Sequence, residues 1–324
     1  EVNREVDVGV FERFVLDRSS EEAISGSTLT TLRMAAQLGA PAAEMKPKAI
    51  VVTHEWHSWE RLAFAAARKV VPKIKCIGYQ HAALFRLQHA IRRNLAREYN
   101  PDRIVTAGTV SKGQLDKAKG LNGIQTSVLG SNRALTGVNG SPRLNDDGHK
   151  PTGAGPACLV LPEGIATECH LLFEFSLDCA RFCPEIQFIW RLHPILSFNS
   201  LAAENKKLRR LPHNVILSRA SLEEDIARCS WALYRGTTAV VQAVVAGLRP
   251  FYFQLPDELI VDPLYELEVW RMHVKSAADF CSNVQWANRE TRLSRVSEFR
   301  EAEGYCREFF TPLEPGALEA ILRS

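Results

Sequence analysis

The sequence predicts an α/β protein in which two open parallel sheets, each with helices on both faces, confront one another across a cleft. Three observations lead there. Short β-branched runs ending in polar residues alternate with helix-forming stretches along most of the chain, the pattern of strands joined by crossover helices. The alternation stops once, between Thr136 and Pro156, where TGVNGSPRLNDDGHKPTGAGP loses all periodicity and fills with Gly, Pro, Asn and Asp. At 324 residues, the chain also exceeds the size at which one hydrophobic core keeps growing. The expected organisation is a first domain over 1–135, a linker over 136–156 and a second domain over 157–324. Because the pattern opens at Glu1 rather than at a methionine, the first domain is expected to be truncated, with an initial strand missing.

In the first domain, Lys48 to Thr53 reads as a buried parallel strand followed by a loop at His54 to Trp56 and a helix over Ser58 to Val70, with Ser58 as cap. Lys75 to Tyr79 is the next strand, ending in Gln80-His81. Ala82 to Tyr99 reads as a long amphipathic helix, Arg103 to Ala107 as a strand, Ser111 to Lys119 as a helix and Thr126 to Leu129 as a last strand. The second domain offers strands at Ala157 to Leu161, Gln187 to Leu192, Val215 to Ser218, Trp231 to Tyr234 and Pro250 to Phe253. Helices fall at Ala166 to Phe182, at Ser221 to Cys229, where Ser221 and Glu224 form a capping box, and at Thr238 to Ala246, ended by Gly247. Beyond Leu255 the pattern is helical.

Composition narrows the function. Hydrophobic residues make up 46% and charged residues 24%, an ordinary globular balance. A formal net charge of +3 argues against a nucleic-acid partner, which calls for a strongly basic domain. Two basic stretches, Lys206, Lys207, Arg209, Arg210 and Arg86, Arg92, Arg93, Arg97, read as solvated helix faces or as docks for anionic lipid or acidic glycan. The eight cysteines include Cys76, Cys158 and Cys229 inside apolar runs and form no C-x-x-C pair, so they read as small buried hydrophobes of a reducing compartment. No uninterrupted apolar run of about eighteen residues and no signal pattern occurs. A cytoplasmic protein, peripheral to the inner face of the membrane, is expected.

Ligands of such folds bind at the carboxyl ends of the strands, and four motifs stand there. Gly236-Thr237-Thr238 follows a strand and opens a helix, placing two hydroxyls where backbone N–H groups and the helix dipole favour a phosphate; the alternative is plain helix capping. Arg191 and His193 alternate to one side of a strand that Pro194 stops, so a cation and an imidazole meet at the sheet edge to hold a phosphate, unless they are a surface arginine and a structural histidine. Glu163-Gly164 ends another strand, and the glycine lets backbone approach a ligand, or simply makes a tight turn. Glu55 and Glu60 put two carboxylates near one rim, as acid–base or nucleophilic work at an anomeric carbon requires, with His81 in reach of a carboxylate or an acceptor hydroxyl; for Glu60 the alternative is a first-turn acid satisfying the helix dipole. His54, His57 and His89 show no metal-ligand spacing, and no dinucleotide fingerprint or P-loop occurs. Neither a metal nor a cofactor is expected.

The segments HEWHSWERLAFAAAR, IGYQHA, WRLHP and YRGTTAVVQAVVAGLRPFYF together resemble the surface-carbohydrate biosynthesis glycosyltransferases built from two Rossmann-like domains, the GT-B kind. Within that kind it is similar to the bacterial capsule and lipopolysaccharide enzymes that use CMP-activated acidic sugars, the Kdo transferases and sialyltransferases. The resemblance runs from about Lys48 to Phe253. It implies transfer of a sugar from a nucleotide donor, CMP-Kdo or a similar CMP-sugar, to a cell-surface polysaccharide or lipopolysaccharide acceptor, glycan or lipid-linked glycan. It further implies that His193 and Pro194 match a motif whose histidine binds the nucleotide phosphate, that Thr237 and Thr238 match paired hydroxyls on that phosphate, and that Glu55 or Glu60 acts on the acceptor or anomeric centre. Many relatives carry Glu where Gln242 stands here, which removes a carboxylate contact to the ribose. The rivals are a nucleotide-sugar epimerase or polyol-phosphate transferase on the same scaffold, and a non-catalytic scaffold in glycan assembly.

Overall fold

The computed structural model describes residues 9–55, 57–133, 156–314 and 316–323; all of the expected linker except Pro156 lies outside them. Helices α1 (Val10–Ala23) and α2 (Gly26–Met45) lead into β1 (Ala49–Thr53), α3 (Ser58–Val70), β2 (Lys75–Gln80), β3 (Arg103–Thr106), α4 (Thr109–Asp116) and β4 (Gln125–Val128). These strands form a parallel sheet in the order β1-β2-β3-β4. The second sheet contains β5 (Ala157–Leu161), β6 (Gln187–Trp190), β7 (Val215–Leu217), β8 (Trp231–Tyr234), β9 (Arg249–Phe253) and β10 (Met272–Val274). Its helices are α5 (Ala166–Phe182), α6 (Phe198–Glu204), α7 (Leu222–Arg228) and α8 (Ala239–Val245), and α9 (Ala277–Arg289), α10 (Arg292–Arg307) and α11 (Ala317–Arg323) follow.

The second sheet is also parallel throughout, in the order β10-β9-β8-β5-β6-β7. The chain winds outward from β5 through β6 to β7, then returns to lay β8 on the other side of β5. That reversal is a topological switch, and the loops after β5, β6 and β8 open side by side at one edge. Strands β5, β8 and β9 are buried at every residue, which is why they read in sequence as continuous apolar runs without alternation.

Two helix caps were legible in different degrees. Ser221 and Glu224 do form the capping box on α7. Helix α3 spans Ser58–Val70 as expected, but His57 holds the cap position with no side-chain capping bond, so Ser58 does not cap it. Gly247 closes α8 with φ of 90°, the left-handed conformation in which a side chain is strained.

The segment Ala82 to Tyr99 is not a long helix. It is an irregular loop with two short 3-10 turns, Ala90–Arg92 and Arg97–Tyr99. The reason lies in its arginines. The Arg92 guanidinium donates to the carbonyls of Phe85, Arg86 and Gln88, and Arg61 donates to those of Ala90 and Arg93. Asn100 clasps both backbone groups of Leu95. Carbonyls that a helix would bond internally are thus taken by side chains from within and beyond the segment.

The last part of the chain returns to the first sheet. Ser131 N–H donates to the Thr311 carbonyl and Thr311 N–H to that of Ala107, and Ile321 of α11 packs with Ile77, Val105 and Leu129. The boundary expected at 157–324 therefore leaves out a crossing: α11 lies with the first sheet. Between the sheets, Ala83 and Ala107 share one apolar cluster with Leu264, Leu267, Phe299 and Phe309. Around it Gln114 donates to Glu266 at 2.9 Å, Lys117 pairs with the same carboxylate at 3.0 Å, and Arg92 donates to the Tyr265 hydroxyl. At the heart of this seam Gly108 passes under the end of α10, where a Cβ would overlap the carbonyl oxygens of Glu308 and Phe309. Gly108→Ala is expected to destabilise the protein by about 1–3 kcal/mol, measured as a lower urea midpoint; an unchanged midpoint would show that the seam carries no such constraint.

Candidate active site

Strand ends in the second unit supply the first half of the site. After β8 the chain runs through Arg235 and Gly236 to Thr237 and Thr238. A Cβ at 236 would overlap the Glu163 carboxylate, and that carboxylate accepts the Gly236 N–H. Burial, with Glu168 adding to it, raises the Glu163 pKa, while the Gly236 N–H and Arg235 pull it back. On the other flank of the same loop, a Cβ at Gly164 would lie 3.0 Å from His193 Nδ1. The Glu163-Gly164 dipeptide is therefore the bridge between the Gly236 turn and the His193 loop.

The two threonines behave differently. Thr237 Oγ1 accepts the Ala239 N–H at 3.3 Å, whereas Thr238, the residue at the cap of α8, makes no side-chain capping bond. Both are half-buried, His193 and Pro194 are exposed, and Gln242 lies half-buried on α8. The hydroxyls, the imidazole and the turn backbone form an accessible donor-rich edge.

Arg191 departs from the sequence expectation. Strand β6 ends at Trp190, and the Arg191 guanidinium donates to the Ala220 carbonyl and to Asp225, 2.9 Å away. Asp225 is wholly buried and also accepts from the Ser218 hydroxyl. A buried carboxylate without this partner would cost several kcal/mol, so Arg191 anchors the start of α7.

Arg235 was missed in the sequence. It is 2% exposed, donates to Glu168 and forks onto both oxygens of Glu258, a fit that the planar guanidinium favours. One position earlier, the Tyr234 hydroxyl donates to buried Asp262 at 2.9 Å, and Asp262 also pairs with Arg271. The available signal was a charged residue set directly against the apolar run WALY.

The first unit supplies carboxylates and an imidazole. Glu55 Oε1 lies 3.2 Å from His81 Nδ1, and the His81 ring stacks on Tyr79 at 5.8 Å, whose hydroxyl donates to the Gly130 carbonyl. The Glu55 N–H donates to Glu60 at 2.8 Å. Glu60 is 1% exposed and sits 3.8 Å from the equally buried His54. Glu60 thus lies beneath the Glu55 loop and is bonded to its backbone. Gly78 makes room for His54: a Cβ there would meet the ring at 2.8 Å.

Burial controls both buried groups. It pushes the Glu60 carboxyl from its ordinary 4.5 up to about 7, and lowers His54 from 6.5 to about 3, Arg61 adding to the latter. The interior therefore holds a neutral imidazole and a carboxyl that keeps its proton to about pH 7. All eight cysteines are free thiols, and among the described residues no group of three or more His, Cys, Asp or Glu is placed to hold a metal ion. No helix among them is long and apolar enough to cross a membrane.

No family model matches the chain, and no curated protein matches its sequence. Solved structures do match its shape. The glycotransferase of kitacinnamycin superposes with a TM-score of 0.58 at 12% identity over 90% of this chain and 80% of that one. The Methanocaldococcus jannaschii UDP-GlcNAc 2-epimerase, solved with UDP-GlcNAc and UDP, gives 0.55 at 13% over 92% and 81%. MurG of Acinetobacter baumannii gives 0.53 at 11% over 91% and 78%. The chain has the GT-B fold. The GT-B frame, with the strand ends of the β5/β8 switch on one side and the Glu55–His81 pair on the other, matches the fold class that the sequence predicted.

Two tests follow from this geometry. The Glu60 pKa is raised in the folded state, so the stability associated with its protonated form is present in full below about pH 4.5 and is lost as pH rises through about 7. Glu60→Gln should match the wild type near pH 4.5 and exceed it at pH 8 by an amount on the order of 3 kcal/mol, read from urea melts; a pH-independent difference would contradict it. Gly236→Ala should leave a cooperative thermal transition while expelling the Glu163 side chain, and a structure of that variant with Glu163 unmoved would refute the wedge.

Proposed function

We propose that the chain is a glycosyltransferase that holds a nucleotide sugar, CMP-linked by preference, at the β5/β8 switch and transfers the sugar to an acceptor glycan on the first unit. One observation carries this: Glu163-Gly164 touches the Gly236 turn on one flank and His193 on the other, gathering hydroxyl and imidazole groups at one strand edge suited to a phosphate. Thr237, Thr238 and His193 receive the leaving phosphate, Gln242 lies toward the ribose, and Pro194 ends the strand so that His193 faces the ligand. The GT-B likeness to a glycotransferase and to MurG supports the reading.

In this mechanism His81 is the base and Glu55 a positioning residue. With Nδ1 facing Glu55 at 3.2 Å, the opposite nitrogen, Nε2, takes the proton from the acceptor hydroxyl. The freed oxygen bonds to the anomeric carbon, and the bond from that carbon to the donor phosphate oxygen breaks. The departing oxyanion is stabilised by the hydroxyls and His193. A single displacement of this kind inverts the anomeric configuration.

A second reading is favoured by one finding, the comparable likeness to a UDP-GlcNAc 2-epimerase. Incubating donor without acceptor separates the two, since an epimerase releases an epimer and a transferase does not.

Calorimetry with CMP, UDP, GDP and CDP is expected to show binding of at least one, CMP most tightly. Thr237→Val should weaken that binding roughly tenfold, on the order of 1.4 kcal/mol, without lowering the melting temperature. Absence of binding to all four by folded protein would overturn the proposal. His81→Ala should lower the transfer rate by roughly 10²–10⁴-fold with nucleotide affinity unchanged, and a full rate in that variant would remove His81 as the base.

A further inference from the structure

Among the described residues four arginines are buried, and three of them meet a carboxylate. Arg235 pairs with Glu168 and Glu258, Arg249 with Glu290 and Glu298, and Arg295 with Glu290. Arg61 is the exception. Three of its N–H bonds go to neutral acceptors, the Asn100 side chain and the carbonyls of Ala90 and Arg93. Among the described residues no carboxylate forms an ion pair with it. Glu60, next in sequence, turns instead to the Glu55 N–H.

Arg61 also lines a pocket of about 380 Å³ between the start of α3 and the 90–99 loop. Arg93 lines it too, an exposed residue that likewise has no ion-pair partner among the described residues. The Arg93 charge is close enough to disfavour the charged form of Arg61. Two arginines thus line one concave site, and among the described residues neither has an ion-pair partner, an arrangement that an anion would complete. Leu62, Leu95 and Tyr99 supply an apolar wall, and the volume is that of a small-molecule site. His57 and Ser58, also in the lining, lie two and three positions beyond Glu55 in the chain.

We propose that this pocket receives an oxyanion of the acceptor, a carboxylate or phosphate borne on a sugar ring, with Arg61 and Arg93 providing the charge and Leu62, Leu95 and Tyr99 the contact to the ring. The assignment of the ligand as acceptor rests on the glycosyltransferase reading; the anion site itself does not. Planar guanidinium suits either oxyanion, and the sources are told apart by the ligands used.

The test is calorimetric titration of the whole protein, at constant ionic strength, with glucuronate, glucose 6-phosphate and glucose. At least one of the two anionic sugars binds, and glucose does not. Arg93→Glu weakens that binding tenfold or more, Arg93→Gln weakens it less, and CMP binding is the same in all three proteins. Glucuronate alone marks an acidic-sugar acceptor, and glucose 6-phosphate alone a phosphorylated one. Leu95→Trp, which fills the pocket without changing charge, abolishes binding and serves if Arg93→Glu does not fold. Equal affinity in wild type, Arg93→Glu and Leu95→Trp overturns the proposal, as does failure of both anionic sugars to bind. Should no nucleotide bind while the Arg93-dependent anion binding persists, the donor assignment falls and the anion site stands.

Discussion

A carboxylate occupies the place where any residue other than glycine at 236 would carry its Cβ, and the geometry of the donor edge depends on that contact. Glu163 is the second residue after β5, and Gly236 is the second residue after β8. Because β5 and β8 are adjacent and parallel, the two loops are forced together, and only the missing side chain lets the carboxylate reach the turn N–H. The neighbouring Arg235 is fixed by Glu168 and Glu258, so the turn cannot swing away. Thr237 and Thr238 are then held at the mouth of the sheet, with His193 across Gly164.

The same principle shapes the first unit with opposite chemistry. There the support is a buried acid and a buried imidazole rather than a paired guanidinium. Glu60 holds the Glu55 backbone, Glu55 lies 3.2 Å from His81, and Tyr79 stacks on the imidazole. Burial keeps His54 neutral and Glu60 protonated to about pH 7, so neither group strands a charge beneath the half-buried Glu55–His81 pair. In both units a buried polar contact sets the position of a more accessible group.

Much of this was legible in the sequence, and the gaps have physical causes. Buried parallel strands announce themselves as apolar runs, and WALY was located to the residue. Glycine after a strand and hydroxyls before a helix marked the Gly236 turn, because few other residues satisfy that backbone. Arg191 misled because its partner, Asp225, lies 34 positions away, and strand alternation cannot reveal a bond of that range. The Ala82 to Tyr99 segment has helical spacing, yet Arg92 and Arg61 occupy its carbonyls, a competition that periodicity does not record. Helix α11 looked like the end of the second unit since nothing in its own residues says that Ile321 packs on Ile77 and Val105. Arg61 is the clearest case of all: a buried charge without a carboxylate is defined by what surrounds it in space.

The central proposal is that groups from two separate strand ends, those of β6 and β8, close on one phosphate. A crystal structure of the protein soaked with CMP tests it most directly. The account predicts phosphate density within hydrogen-bonding distance of the Thr237 and Thr238 hydroxyls and of the His193 ring, with Glu163 still seated against Gly236. Phosphate bound elsewhere, with His193 directed away from Thr237, would contradict it.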